Sequence, residues 1–367
     1  MSAPRPLRVL VVDDSVVHRQ TISELLKGAE DVEIVGKAAN GEEALRMAAL
    51  VSPDLITLDL EMPRMDGFTF LRILMAKQPT PVIVISSQSQ RENVFKALEL
   101  GALDFVSRPS GGPSEVATVR DELLAKVSVV RSLRPVAKHT PMRPTTGAYS
   151  ITQSSSGRVA VQPPQAAPSK PGVARVVPKR LVVIGASTGG PQAILELVGR
   201  LPASTPFGVV IAQHMPERFT RTFAERLHRR ASLRVAEAED GSLVEAATVW
   251  ICPGARATEL EMDPSGVPRL RVHANDSTDR YTPSVDRLFL SAASVMGGKT
   301  LGIVLTGMGD DGAAGLPALK RAGAEIWVES AESAIVDGMP AAARKTGVAD
   351  QVLPLTTLIA KLAQLQA

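Results

Sequence analysis

The sequence predicts an α/β protein made of two domains with open, mainly parallel sheets. Short strand-like runs rich in Val and Ile alternate with amphipathic helix-like segments five times over residues 5–130, and the alternation resumes over 179–367. Such alternation is typical of parallel sheets covered by helices on both faces. Between the two regions Pro, Ser, Thr, Gln and Ala dominate, and no acidic residue occurs between Glu122 and Glu196. We therefore predict a first domain over 5–125, a flexible, basic Pro/Ser/Thr-rich linker over 126–178 and a second domain over 179–367.

Composition argues against several classes of protein. A net charge of +3 over 367 residues is too small to indicate nucleic-acid binding. The single cysteine, Cys252, cannot form an internal disulfide, which fits a reducing compartment. No apolar run reaches the roughly 18 residues that span a bilayer, and two acids end the first apolar run too early for a signal peptide. We expect a cytoplasmic monomer that neither inserts into a membrane nor binds nucleic acid.

Five short apolar runs are the strand candidates of the first domain. In chain order they are RVLVVDD, EIVGKA, DLITLDL, PVIVISS and DFVSR, with amphipathic segments such as GEEALRMAALVS between them. In a flavodoxin-like (βα)5 fold the first and third strands are neighbours at the switch point, where ligands bind beyond the carboxyl ends of the strands. Asp13 and Asp14 end the first strand and Asp59 ends the third. Three carboxylates are therefore expected to converge in one crevice.

This acidic crevice suggests metal-assisted phosphoryl chemistry. Unpaired carboxylates repel one another, and Mg²⁺ would relieve the repulsion while binding water and a phosphate oxygen. Asp59 could then attack a phosphoryl group, while Ser86 after the fourth strand and Arg108 after the fifth could bind phosphoryl oxygens. The alternative is that Asp13 and Asp14 are only turn or helix N-cap residues. That alternative does not explain the polar residues at the other strand ends.

On these residues the first region is identified as a member of the response regulator receiver family. The motifs VVDDS, DLITLDLEMPRMDG, VISS and ALDFVSRP carry the resemblance. It implies that Asp59 is the phospho-acceptor and Ser86 the switch hydroxyl. It also implies a Mg²⁺ site formed by Asp13, Asp14, Asp59 and the backbone carbonyl of Glu61. Arg108 stands where receivers carry lysine; arginine keeps the charge but is bulkier and reaches differently.

The second domain begins with an apolar run that ends in a glycine-rich turn, LVVIGASTGG. Three interpretations compete for this turn. A phosphate loop lacks the lysine and the glycine spacing that it needs. A plain tight turn remains possible. The pattern also fits the G-x-S-x-G nucleophile turn, in which Gly185 and Gly189 flank Ser187 between a strand and a helix.

A serine nucleophile needs a base and an orienting carboxylate. Among the histidines, His214 alone ends an apolar parallel-type strand, FGVVIAQH, so it is expected at the same sheet edge as Ser187. The run TLGIVLTGMGDDGAAG ends another apolar strand with Asp310 and Asp311. Asp-Gly is also common in ordinary turns, and local sequence does not choose between the two acids. The chain order Ser, His, Asp differs from that of α/β-hydrolases, although geometry rather than order defines a triad.

The second domain resembles the CheB-type methylesterase family in VVIGASTGGPQAI, VVIAQHMPERFTRTFAERL, YTPSVDRLF and IVLTGMGDDGAAGL. The resemblance implies Ser187 as nucleophile, His214 as base, Asp311 as orienting acid and the Met308 backbone N–H as an oxyanion donor. It implies a hydrolase that demethylates glutamate methyl esters of methyl-accepting chemotaxis receptors, releases methanol, and also deamidates receptor glutamines. The esterase reaction needs no cofactor. A chemotaxis histidine kinase is the implied phosphodonor, and phosphorylation of Asp59 is the implied activation.

Two rival functions fit the sequence less well. A dinucleotide-binding domain would need the G-x-G-x-x-G spacing and an acid after the following strand, and both are absent. A transcriptional response regulator would need a helix-turn-helix module, but the second domain is too rich in strands for one. The basic residues of the chain also cluster in the linker rather than on a recognition helix.

Overall fold

The structure is a computed structural model of the chain. It describes residues 5–27, 29, 31–87, 91–108, 113–131, 133, 177–276 and 279–365. Apart from its two ends, the predicted linker lies outside these residues. None of the helices in the described ranges is long and apolar enough to cross a membrane.

The first domain is a five-stranded parallel sheet with the strand order β2-β1-β3-β4-β5, which confirms the flavodoxin-like prediction. Its strands are β1 Leu7–Val12, β2 Val32–Ala38, β3 Leu55–Leu58, β4 Val82–Ser86 and β5 Asp104–Ser107. Its helices are α1 Val16–Lys27, α2 Gly41–Val51, α3 Gly67–Lys77, α4 Arg91–Glu99 and α5 Pro113–Val130. The order reverses between β1 and β3, so their carboxyl ends form the switch point.

Alternate side chains of the strands supply two cores, one on each face of this sheet. In β1, Leu10 and Val12 pack into the cluster that includes helices α2, α3 and α4. Val9 and Val11 pack into the cluster that includes α1 and α5. Strands buried on both faces must be apolar throughout, which explains the continuous Val/Ile/Leu runs of the sequence.

Helix α5 corrects the predicted start of the linker at residue 126. The helix continues to Val130, and Leu123, Val127 and Val130 are buried against the first sheet. Their spacing keeps them on one helix face. The packing therefore extends the folded domain five residues past the predicted boundary.

The second domain confirms the doubly wound, mainly parallel prediction. Seven parallel strands pair in the order β14-β13-β12-β6-β7-β9-β8, and the separate antiparallel hairpin β10-β11 follows β9 in the chain. The strands are β6 Arg180–Ala186, β7 Phe207–Gln213, β8 Arg234–Glu237, β9 Thr248–Ile251, β10 Arg256–Met262, β11 Pro268–Ala274, β12 Thr300–Val304, β13 Glu325–Glu329 and β14 Gln351–Leu353. The helices are α6 Gly190–Arg200, α7 Glu217–His228, α8 Val285–Met296, α9 Leu316–Arg321, α10 Gly338–Lys345 and α11 Leu355–Ala363.

The strand order of the second sheet places its switch point at β6. The chain moves from β6 through β7 to β9 on one side, and returns to β12 on the other side of β6. The ends of β6, β7 and β12 therefore meet at one edge, where an open parallel sheet binds its ligands.

The two sheets are joined by a shared apolar cluster between helix α4 of the first domain and helix α7 of the second. The Phe95 ring stacks on Phe223 with centroids 5.4 Å apart, and Phe105 lies 4.6 Å from Phe219. All four aromatic side chains are buried. Ion pairs between Arg226 and Glu99 flank this cluster.

Candidate active site and acidic pocket

Ser187 lies in the turn between β6 and α6. Its backbone N–H donates to the Thr306 carbonyl over 3.1 Å, and its carbonyl accepts from Gly190 N over 2.8 Å. Gly189 adopts φ +79°, a conformation that disfavours residues with a Cβ. Backbone hydrogen bonds thus hold the turn on both sides of Ser187, and Ser187 lies immediately beyond the edge of the sheet.

His214 lies beside Ser187 because the register of two neighbouring strands requires it. Ala186 of β6 pairs with Gln213 of β7, so Ser187 and His214 each follow a paired residue. The His214 backbone N–H donates to the Ala186 carbonyl over 3.0 Å. Neighbouring strands lie about 4.8 Å apart, which puts the two residues side by side. No hydrogen bond joins the Ser187 hydroxyl to His214 among the described residues, and apo sites often tighten only when substrate binds.

Asp311, rather than Asp310, lies against the imidazole. His214 Nε2 is 2.7 Å from Asp311 Oδ2, and the Asp311 side chain is buried. The Asp310 side chain is exposed and instead accepts from the Tyr281 hydroxyl over 3.2 Å. The structure therefore brings to the imidazole the acid that the resemblance implied, whereas local sequence had left the two acids as alternatives.

The N-terminus of helix α8 holds the Asp311 carboxylate. The backbone N–H groups of Val285 and Asp286 donate to its two oxygens over 2.8 and 2.9 Å. Burial alone would raise the pKa of Asp311, but the hydrogen bonds from His214 and from these N–H groups lower it. The helix dipole favours a negative charge at this position. Asp311 is therefore suited to remain ionised beside the imidazole.

The segment after β12 brings Gly307, the residue before Met308, close to the serine. A Cβ on Gly307 would lie 2.9 Å from the Ser187 Cβ, so only glycine permits this approach. The Gly307 N–H donates to Val336, whereas no hydrogen bond engages the Met308 N–H within the described part of the chain. Glu329 accepts from Thr306 N over 2.7 Å and fixes the start of the segment. An oxyanion donor needs an N–H that no other group engages, and the role of Met308 stays a prediction.

Sequence reasoning missed Gln213, which precedes the histidine. Its buried amide Nε2 donates to the carbonyls of Ser187 over 2.9 Å and of His214 over 3.0 Å. The amide therefore ties the serine turn to the end of β7. A polar residue inside an otherwise apolar strand was the available signal.

Asp286 was also missed, although it lies within the quoted YTPSVDRLF motif. Its Oδ1 accepts from Gly315 N over 2.7 Å. Burial and the neighbouring Asp311 raise the pKa of Asp286 to about 6. This second acid holds the segment that follows Asp311.

The three carboxylates predicted at the first sheet do converge. Asp13, Asp14 and Asp59 each offer an oxygen, and these oxygens lie within 4.8 Å of one another. Asp13 and Asp59 are buried, whereas Asp14 is exposed. Burial raises the pKa of both Asp13 and Asp59. Clustered, partly desolvated carboxylate oxygens suit Mg²⁺, which relieves their mutual repulsion.

Arg108 reaches into this pocket from the end of β5. One guanidinium nitrogen lies 3.0 Å from an Asp13 oxygen and 3.2 Å from an Asp59 oxygen. The cation partly offsets the effect of burial on both carboxyl groups. Arginine therefore occupies the place predicted for the pocket cation.

The remaining predicted pocket residues lie around the carboxylates. Ser86 is buried at the end of β4, and its hydroxyl donates to the Ser87 carbonyl over 3.2 Å. The Glu61 N–H lies 3.5 Å from an Asp59 oxygen, and the Glu61 side chain is exposed. The roles predicted for these two residues stay predictions.

A hydrogen bond that the sequence did not predict joins the first domain to the serine turn. The Thr188 hydroxyl donates to Asp104 Oδ2 over 2.6 Å, and both side chains are buried. Lys126 of α5 lies 3.1 Å from the other Asp104 oxygen. Asp104 belongs to β5, the strand that ends next to Arg108. The serine turn is thus one hydrogen bond away from the sheet that carries the acidic pocket.

Two protein families match the chain. Residues 9–119 match the response regulator receiver domain, and residues 182–362 match the CheB methylesterase domain. A relative from Anaeromyxobacter dehalogenans, protein-glutamate methylesterase/protein-glutamine glutaminase 6, is 47% identical over 98% of this chain and 96% of its own length. The protein-glutamate methylesterase/protein-glutamine glutaminase 3 of Geobacter sulfurreducens is 46% identical over 98% and 97%.

Two solved structures from Thermotoga maritima are similar to the separate domains. The CheB methylesterase catalytic domain is 37% identical, covers 51% of this chain and 98% of that chain, and gives a TM-score of 0.49. The response regulator domain of CheB is also 37% identical, covers 36% and 100%, and gives a TM-score of 0.33.

Proposed function

This chain belongs to the CheB methylesterase family, a family of hydrolases, and carries a response regulator receiver domain in front of the esterase domain; on this premise we propose that it demethylates glutamate methyl esters of chemotaxis receptors. Ser187 is the proposed nucleophile, His214 its base and Asp311 the acid that orients the base. The observation that carries this assignment is the alignment of three strand ends. Strand register sets His214 beside Ser187, and Asp311 lies 2.7 Å from His214.

The first half of the proposed reaction forms an acyl-enzyme. With His214 Nε2 engaged by Asp311, Nδ1 is the nitrogen available for the Ser187 proton. The Ser187 oxygen attacks the γ-carbonyl of the methylated glutamate, and the Met308 N–H stabilises the tetrahedral oxyanion. Protonated His214 then gives its proton to the departing methoxide. Methanol leaves, and the glutamyl group remains on Ser187.

Water completes the cycle with the same groups. His214 takes a proton from the attacking water, a second tetrahedral oxyanion forms, and the proton returns to Ser187 as the free glutamate departs. An amide in place of the ester would release ammonia by the same steps. We therefore also propose glutamine deamidation, which agrees with the glutaminase in the names of the relatives.

Methanol release from membranes that hold methylated receptors tests the esterase proposal. Ser187→Ala should reduce turnover by about 10³-fold or more, as in other serine triads. Ser294→Ala is the matched control, because that hydroxyl lies on an exposed part of helix α8. Methanol release by Ser187→Ala at the wild-type rate would refute the nucleophile assignment.

We propose that phosphorylation of Asp59 controls the esterase, with a chemotaxis histidine kinase as phosphodonor. Asp13, Asp14, Asp59 and the Glu61 carbonyl would hold Mg²⁺, which would neutralise charge during phosphoryl transfer. Ser86 and Arg108 would bind the transferred phosphoryl group. The contacts between the domains support control, because the Asp104–Thr188 hydrogen bond reaches the residue next to Ser187.

A small phosphodonor tests this regulation on the full chain. Acetyl phosphate with Mg²⁺ should label the wild type at Asp59 and raise methanol release, because phosphorylation shifts the domains toward an open arrangement. Asp59→Asn should lose both effects. Equal labelling of the two proteins would contradict the phospho-acceptor assignment, and labelling without activation would contradict the control.

A further inference from the structure

Tyr281 stacks on the ring of His214. The two ring centroids lie 4.9 Å apart and the planes differ by 6°. Tyr281 is part of the segment that leads into helix α8, whose N-terminus holds Asp311. The imidazole is thus engaged at one edge by Asp311 and on one face by Tyr281.

The position of the Tyr281 ring is itself fixed by the segment after β12. Its hydroxyl donates to Asp310 Oδ1 over 3.2 Å. A Cβ on Gly309 would lie 2.5 Å from the same hydroxyl, so glycine is needed where the ring passes. Burial and Asp310 raise the pKa of Tyr281, which keeps the hydroxyl protonated and able to donate.

A flat ring over His214 has two physical consequences. Parallel stacking at this distance restricts rotation of the imidazole out of its plane. An aromatic face also attracts a cation, and the imidazole becomes a cation only after it takes the serine proton. The attraction is therefore stronger in the transition state than in the resting enzyme, which raises kcat rather than substrate affinity.

We propose that Tyr281 is a positioning residue for His214, holding the imidazole plane and stabilising the imidazolium that forms during acylation and deacylation. This inference rests on the proposed esterase function. In this proposal Tyr281 does not contact the substrate. Its effect is exerted through His214.

The test compares three substitutions in the full chain, treated with acetyl phosphate and Mg²⁺. Tyr281→Leu removes the aromatic face, and Tyr281→Phe keeps the face but removes the hydroxyl. Arg271→Ala is the control, because Arg271 is an exposed arginine on strand β11. Arg280 does not serve, since its guanidinium lies over the Tyr281 ring, 5.1 Å from the centroid. Tyr281→Met provides a second aliphatic variant if the first has a lower melting temperature than the wild type.

Two rates are measured for each protein. The first is labelling of Ser187 by a fluorophosphonate, in which the serine Oγ–P bond forms, His214 takes the serine proton and fluoride leaves. The second is methanol release, resolved into kcat and KM. We expect Tyr281→Leu to lower the labelling rate and kcat about tenfold with KM within twofold. Tyr281→Phe and Arg271→Ala should stay within about twofold of the wild type.

Three results would overturn the role of Tyr281: unchanged labelling in Tyr281→Leu, an equal loss in Tyr281→Phe, or a loss confined to KM. Absence of fluorophosphonate labelling in the wild type would overturn it as well. If the wild type is labelled but releases no methanol, the proposed substrate is wrong, and the labelling rates still decide the role of Tyr281. The labelling rates therefore separate the two proposals.

Discussion

At the scale of single residues, the Gln213 amide connects the backbone of the proposed nucleophile with that of the proposed base. Both of its N–H groups are engaged by carbonyls, one of Ser187 and one of His214. This amide directly connects the two residues that exchange a proton in the proposed reaction.

Gln213→Met should both destabilise the esterase domain and slow the reaction. The substitution keeps the length of the side chain but leaves the His214 carbonyl without a donor and removes one of the two donors to the Ser187 carbonyl, at a cost of about 2 kcal/mol. Urea unfolding followed by the fluorescence of Trp250 and Trp327 reports on this domain, because both tryptophans lie in its sheet. Gln192→Met, on the exposed face of helix α6, is the control. Equal stability of the two variants would mean that the hydrogen bonds of the Gln213 amide do not stabilise the domain.

Asp286 should make the stability of the esterase domain depend on pH. Its pKa is about 6 in the folded chain against 3.8 as its ordinary value. The folded state therefore binds the proton more tightly, and stability falls as pH rises through this window. Asp286→Asn removes the titration. The free energy of unfolding of this variant, relative to that of the wild type, should therefore rise by roughly 1 kcal/mol between pH 5 and 7.5. Calorimetry at the two pH values checks this, with the exposed Asp310→Asn as control; a pH-independent difference would argue against the shifted pKa.

At the scale of elements, helix α8 connects stability with the site. Ser284 caps its N-terminus by accepting from Arg287 N, and the next two N–H groups bind Asp311. The start of the helix is thus capped by the Ser284 hydroxyl and bound by the negatively charged Asp311 carboxylate. A serine cap and a carboxylate share the N–H groups that every helix start leaves unpaired.

Removal of this cap should loosen the helix start. Ser284→Ala should lower the free energy of unfolding of the esterase domain by about 1 kcal/mol. Urea titration followed by tryptophan fluorescence measures the loss. Ser294→Ala, in the same helix but away from its start, should stay within about 0.5 kcal/mol of the wild type. Equal losses would mean that Ser284 acts other than as a cap.

At the scale of the whole molecule, charged and aromatic side chains join the two domains. Arg226 of α7 binds Glu99 of α4 through two nitrogens, at 2.6 and 2.9 Å. Arg229 and Arg230 contact Glu92 and Glu99. These pairs surround the stacked aromatic rings, so the contact combines apolar burial with charge complementarity.

Weakening this contact should shift the unphosphorylated chain toward the open arrangement that we propose for the phosphorylated one. Glu99→Gln should raise the methanol release of the unphosphorylated chain by roughly five- to tenfold, because losing a partly buried ion pair shifts the domains apart. The phosphorylated chain should change little. Glu33→Gln, an exposed acid on β2, is the control. Unchanged basal activity in Glu99→Gln would argue against control of the esterase through this contact.

Much of the architecture could be predicted because strands that are buried on both faces can be recognised in the sequence as apolar runs. The five strands of the first sheet, and β6, β7, β9, β12 and β13 of the second, all lie in such runs. The hairpin β10-β11 and the short strands β8 and β14 escaped prediction, because half-exposed or three-residue strands leave no clear pattern. The start of the linker was predicted too early, since only packing showed that Val127 and Val130 are buried.

The sequence by itself determined the family, the order of the elements and the presence of serine, histidine and aspartate at strand ends, since each of these depends on local pattern. Local sequence left Asp310 and Asp311 as alternatives and the family resemblance implied Asp311, but only the tertiary structure gives the physical reason, because helix α8 approaches Asp311 and leaves Asp310 exposed. The ring of Tyr281 over the imidazole and the Asp104–Thr188 hydrogen bond were likewise decided by packing. The two rings are separated by 67 positions in the sequence, and Asp104 and Thr188 by 84. Contacts over such separations are set by how the sheets assemble, and no local pattern encodes them.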